Sequence, residues 1–156
     1  MKQSLSVALG LSGLLVLAGC AADAPEESVE QALAVAEGCT PSGAEVESIA
    51  ISGEFGATPS VTFDAPLSAV VTQRSVIIEG DGPEVQDGDI LSIDYSLYNA
   101  STGDLIEESG YTEVSPTVLT LDTDAPNFVG VSLTAACSTV GSRVAGLIPP
   151  LEAFCP

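Results

Sequence analysis

From position 46 onward the chain alternates short β-branched and apolar stretches with turn residues, the pattern of strands joined by tight loops. The segments 46–51, 60–63, 69–79, 90–98, 105–107, 118–121 and 143–148 read as strands. The clearest is 90–98: Ile90, Ser92, Asp94, Ser96 and Tyr98 fall on one face, with Leu91, Ile93, Tyr95 and Leu97 on the other. Gly80-Asp81-Gly82-Pro83, Asp87-Gly88-Asp89 and Asn99-Ala100-Ser101-Thr102-Gly103 read as turns. One helix is expected over about 126–137, because Pro126 suits a first helical position. The expected class is α+β, a mainly antiparallel β-sheet wrapped over one short helix, with no internal repeat.

The first twenty residues carry a different pattern. Met1-Lys2-Gln3 is a short basic start, and 5–17 is an apolar stretch too short and too rich in small residues for a transmembrane span. Leu17-Ala18-Gly19-Cys20 follows and resembles the bacterial lipobox, whose Cys is acylated and becomes the mature N-terminus. The expectation is a signal peptide over 1–19 and a lipidated Cys20, which fixes the protein at the outer face of a membrane through its acyl chains. Residues 20–45 then serve as an acidic, Ala-rich tether, 46–72 as a β-rich lead-in, and 73–156 as the main domain.

Charge narrows the functional classes. The 156 residues hold 22 Asp+Glu against 3 Lys+Arg, a net charge of −19, with no His and no Trp. Removing 1–19 leaves Arg74 and Arg143 as the basic residues and a net charge of −20. Such a chain does not neutralise phosphates, so nucleic acid and anionic membrane surfaces are excluded as partners. Without His there is no Ser-His-Asp or Cys-His couple, and the serines have no imidazole base to activate them. An apolar content of 46% with 16% charged residues still describes a chain that folds.

The remaining candidates for chemistry are few. Asp87-Gly88-Asp89 and Asp122-Thr123-Asp124 lack the register of a calcium loop and read as solvated turns. Glu107 and Glu108 are neighbours on a strand and point to opposite faces, so they form no acid–base dyad. Neither metal nor cofactor is expected. Outside the cytoplasm disulfides persist, and Cys39 with Cys137 is the expected pair, leaving Cys155 over.

A collinear set of segments then carries a resemblance: Gly80-Asp81-Gly82, Gly88-Asp89, Ile93-Asp94-Tyr95-Ser96-Leu97 and Gly103-Asp104-Leu105-Ile106-Glu107-Glu108-Ser109. It continues through Phe128-Val129-Gly130-Val131, Val140-Gly141-Ser142-Arg143, Ile148-Pro149-Pro150 and Ala153-Phe154. Together these resemble FKBP-type peptidyl-prolyl isomerases across residues 73–156. With the lipobox and the lead-in from Phe55 to Val61, the chain looks like lipoprotein members of that family in actinobacteria.

The resemblance implies a pocket. Tyr95 matches the strand tyrosine that walls the proline site and bonds an acidic residue, and Glu107 stands where that acid is an Asp. Ile106 takes the place of a Phe, and Phe128 that of an aliphatic residue whose backbone N–H bonds the substrate carbonyl. Val131 replaces the Trp of the pocket floor. Phe154 stands where a Tyr hydroxyl would bond the substrate, a loss of about 0.5–1.5 kcal/mol. The resemblance stops at Phe154-Cys155-Pro156, so the flap loop and final strand of the family are expected to be missing.

The chemistry so implied needs no titrating group. Rotation about an X–Pro bond breaks amide resonance and takes tens to hundreds of seconds uncatalysed. An apolar pocket favours the twisted amide by withdrawing water. The expected protein is a monomeric, membrane-anchored folding helper acting on proline-containing exported polypeptides. Its competitors are a non-catalytic peptide-binding or chaperone module on the same fold, and a purely structural acidic surface lipoprotein.

Overall fold

The computed structural model describes residues 38–112, 117–126 and 128–153. Cys20, Phe154 and Cys155 lie outside them. The described residues are α+β: small antiparallel strand pairs with three short helices. In chain order the elements are α1 (Ala44–Glu47), β1 (Ala50–Ser52), β2 (Ser60–Thr62), β3 (Gln73–Ile78) and β4 (Ile90–Ile93). Then come β5 (Ser96–Tyr98), β6 (Leu105–Glu108), β7 (Thr117–Thr120), α2 (Val129–Ala135), β8 (Arg143–Leu147) and α3 (Pro150–Ala153). β1 pairs with β2, β3 with β8, β4 with β7 and β5 with β6, all antiparallel.

Four expectations are corrected. The segment 46–51 is not one strand: its first residues close the helical turn α1, and only β1 remains extended. The Val46 N–H meets Gln73 Oε1 at 3.3 Å, and Val46 is 0% exposed at the centre of the core. The stretch 90–98 is two strands, broken at Asp94 and Tyr95. Among the described residues there are three helices where one was expected, and the expected 126–137 helix contracts to α2 because Phe128 stands in a left-handed conformation, φ 58°.

The fourth correction concerns domain boundaries. The tether was expected to run to residue 45, yet 39–45 belong to the folded body. Cys39 and Cys137 form a disulfide, S–S 2.02 Å, so the pair expected from the sequence is the bonded one. Thr40 Oγ1 donates to the Leu133 carbonyl at 2.8 Å, and Arg74 N donates to the Pro41 carbonyl at 3.1 Å. The lead-in is not separate either. Val46 and Leu67 share one buried cluster with Ala145 and Leu147 of β8, and Ile49, Ile51 and Phe63 pack against it. Full burial of a side chain such as Val46 contributes roughly 1.5–3 kcal/mol.

Both arginines act as internal clips. Arg143 donates from Nη1 to Gly53 O at 2.7 Å and from Nη2 to Glu54 O and Ala57 O at 2.6 and 2.9 Å, closing the β1–β2 loop. Arg74 donates from Nε to Thr134 O and from Nη2 to Ser138 Oγ, at 3.2 and 2.8 Å, tying β3 to the end of α2. Burial lowers the Arg74 pKa from its ordinary value, an effect that the charge of Glu79 opposes. α2 approaches the residue that follows β8 closely at Gly130, where any Cβ would run into Ile148 Cγ2.

Candidate functional site

The break between β4 and β5 is built by one serine. Tyr95 N donates to Ser109 Oγ at 3.0 Å, and Ser109 N donates back to the Tyr95 carbonyl at 2.8 Å. Ser109 Oγ in turn donates to Asp94 Oδ1 at 2.8 Å. A side chain thus substitutes for a ladder partner, and the bend fixes the direction of Tyr95. Across the hairpin Leu97 stands opposite Glu107, so Tyr95, Leu97 and Glu107 share one face. The Tyr95 hydroxyl donates to Glu107 Oε1 at 2.8 Å.

That bond holds the phenol proton. The Tyr95 pKa is raised from its ordinary value, first by the hydrogen bond to Glu107, then by desolvation and by the Glu107 charge. Since the folded-state pKa lies above the unfolded one, this contribution to stability is complete below the ordinary tyrosine pKa. It is lost as pH rises through the raised value. Replacing Glu107 by Ala should move one of the three tyrosines to an earlier phenolate transition, read by ultraviolet absorbance. A titration curve superimposable on that of the parent protein would contradict the pairing.

The other expected residues are placed as follows. Ile106 is the extra residue of a β-bulge in β6, since Leu97 faces Glu107 while Tyr98 faces Leu105. Its side chain is 56% exposed. Phe128 caps α2, its side chain 57% exposed and its carbonyl accepting Val131 N at 3.0 Å. Val131 is half-buried on α2. Tyr95 and Glu107 are therefore in contact, and Ile106 adjoins Glu107 in sequence, whereas Phe128 and Val131 sit on a separate element. Two further residues shape the region. Ser109 ends the Gly103–Ser109 segment, and Tyr111, φ 46°, whose hydroxyl lies 2.8 Å from Ser96 Oγ, carries no sequence signal of its role.

Comparison with family models, with curated proteins and with solved structures gives no match for this chain.

An open concavity of about 370 Å³ lies elsewhere, beside the disulfide, between Cys39, Pro41, Val71, Leu133 and Glu152. Glu152 Oε2 accepts both Thr72 N and Thr72 Oγ1, at 2.9 and 2.6 Å, so this carboxylate secures α3 to the start of β3. The turn aspartates are likewise engaged. Asp87 Oδ1 accepts Thr123 N and Oγ1, Asp89 Oδ2 accepts Gln86 N, and Asp122 Oδ1 accepts Asp124 N. Among the described residues no group of three or more His, Cys, Asp or Glu could hold a metal ion. Nor is any helix there long and apolar enough to cross a membrane. What the Tyr95 region offers chemically is an oriented aromatic ring, a fixed hydroxyl and exposed aliphatic surface.

Proposed function

We propose that this chain is an FKBP-like peptidyl-prolyl cis-trans isomerase, anchored outside the cytoplasmic membrane through a lipid on Cys20, that assists the folding of proline-containing exported polypeptides. The contact between the Tyr95 hydroxyl and Glu107 is the observation that carries the reading, because it is the pairing the resemblance requires of a wall tyrosine and its acid. The layout is compatible with it: α2 lies against β8, and the β4–β5 arm bears β6 and β7.

In this reading the Tyr95 ring and the Ile106 and Val131 side chains offer the apolar surface for the proline ring. Glu107 keeps the phenol protonated and oriented, and the Phe128 backbone N–H serves the substrate carbonyl. The twisted amide has less charge separation than the planar one, so apolar side chains that displace water as the substrate binds favour it without transferring a proton.

A protease-coupled or fluorescence assay of X–Pro isomerisation with the full-length protein tests this. Acceleration is expected, cut about tenfold by Tyr95→Ala and less by Tyr95→Phe, which keeps the ring and removes one hydrogen bond. A folded protein that leaves the rate at its uncatalysed value refutes the enzyme. The second reading, a peptide-binding or chaperone module without catalysis, draws on the openness of the surface, where Ile106 and Phe128 are each more than half exposed. Peptide binding with no rate enhancement would select it.

A further inference from the structure

β6 is a short, bulged edge strand that carries Glu107 and Glu108, yet its two aliphatic side chains are left uncovered. Such strands are normally blunted by charges, prolines, twist or a covering segment. All four residues of β6 are exposed, including Leu105 at 48% and Ile106 at 56%. Among the described residues β5 is its single strand neighbour. The bulge at Ile106 interrupts the inward–outward alternation and leaves two adjacent large aliphatic side chains at the surface.

The charge around this edge has one sign. Asp94, Asp104, Glu107 and Glu108 lie on or beside the β5–β6 hairpin. Arg74 and Arg143 are the basic residues among those described, and each is committed to carbonyl and hydroxyl groups elsewhere. Among the described residues no cation offsets the acidic field at β6, so it selects an occupant by charge complementarity and repels a polyanion.

The geometry points to β6 as a docking strand for an extended, cationic polypeptide segment. The segment's backbone adds to the outer edge of β6, its aliphatic side chains cover Leu105 and Ile106, and its Lys or Arg side chains meet Glu108 and Asp104. Taking that segment as the client of the isomerase rests on the function proposed above; the docking strand itself does not.

The test is fluorescence anisotropy of labelled octapeptides with the full-length protein at low ionic strength. An alternating Val-Lys peptide is expected to bind at least about tenfold more tightly than an alternating Val-Glu peptide. N-methylation of alternate residues, which removes the edge-pairing donors, is expected to weaken binding about tenfold, as are Ile106→Ser and Leu105→Ser. Both side chains are exposed, and circular dichroism checks that each variant is folded. Failure of the Val-Lys peptide to bind overturns the inference. So does binding indifferent to N-methylation and to both variants, which marks diffuse attraction to an acidic surface. Isomerase acceleration without Val-Lys binding refutes the docking strand alone. Binding as expected without acceleration refutes the isomerase and leaves the docking strand standing.

Discussion

Replacing both Cys39 and Cys137 by serine is expected to lower the unfolding free energy by about 4–5 kcal/mol, a large share of the roughly 5–15 kcal/mol of an ordinary small domain. The two residues are 98 apart in sequence, and closing so long a loop removes much of the unfolded chain's entropy. The crosslink also holds the segment from Cys39 to Pro41 against α2 and β3, where Thr40 and Pro41 make hydrogen bonds that depend on that docking. Urea denaturation of the double variant, beside the parent protein with and without reductant, measures the effect. The reduced parent should match the variant. An unchanged midpoint in both would mean that the native contacts of 39–41 close the loop without the covalent bond.

Leu121→Ala is expected to cost about 3 kcal/mol, within the range for removing a buried leucine side chain. Leu121 is 1% exposed, and its backbone is held from both directions. Its N–H donates to Asp89 O and its carbonyl accepts Gly88 N, each at 2.8 Å. The next residue, Asp122, donates from N to Ser132 Oγ of α2 at 3.1 Å. A backbone pinned to the 88–89 turn and to the helix cannot move inward to fill the space, so the cavity term persists. The midpoint should fall in chemical denaturation while the dependence on denaturant stays constant. A loss below about 1 kcal/mol would show that the site collapses.

Some of the molecule was legible because its signals are local. The strands β2, β6, β7 and β8 follow from β-branched or alternating residues bounded by turns, and the pleat sets that period. The alternation in 90–98 set Leu91 and Ile93 on one face and Ile90 and Ser92 on the other, and in β4 the first pair is half-buried and the second exposed. The segment 46–51 misled because a single helical turn is too short to show a period of 3.6. Glu45-Val46-Glu47 reads equally well as a strand, and Gln73, far along the chain, stabilises the turn. The interruption at Tyr95 also depends on a distant partner, Ser109.

For the candidate site, the sequence and its resemblance paired Tyr95 with Glu107, and the two are in contact. The exposure of Ile106 was out of reach, since a bulge is a mismatch between two strands and neither strand encodes it alone. The acidic balance, the absence of histidine and the α+β class were determined by the sequence itself, because composition and short-range periodicity are properties of the chain. Only the tertiary structure decided that 39–45 join the folded body, that the lead-in shares a core with β8, and that both arginines are spent on backbone carbonyls and a hydroxyl. Those outcomes rest on contacts between residues from about 20 to nearly 100 positions apart, whose energy appears when packing brings the partners together out of water.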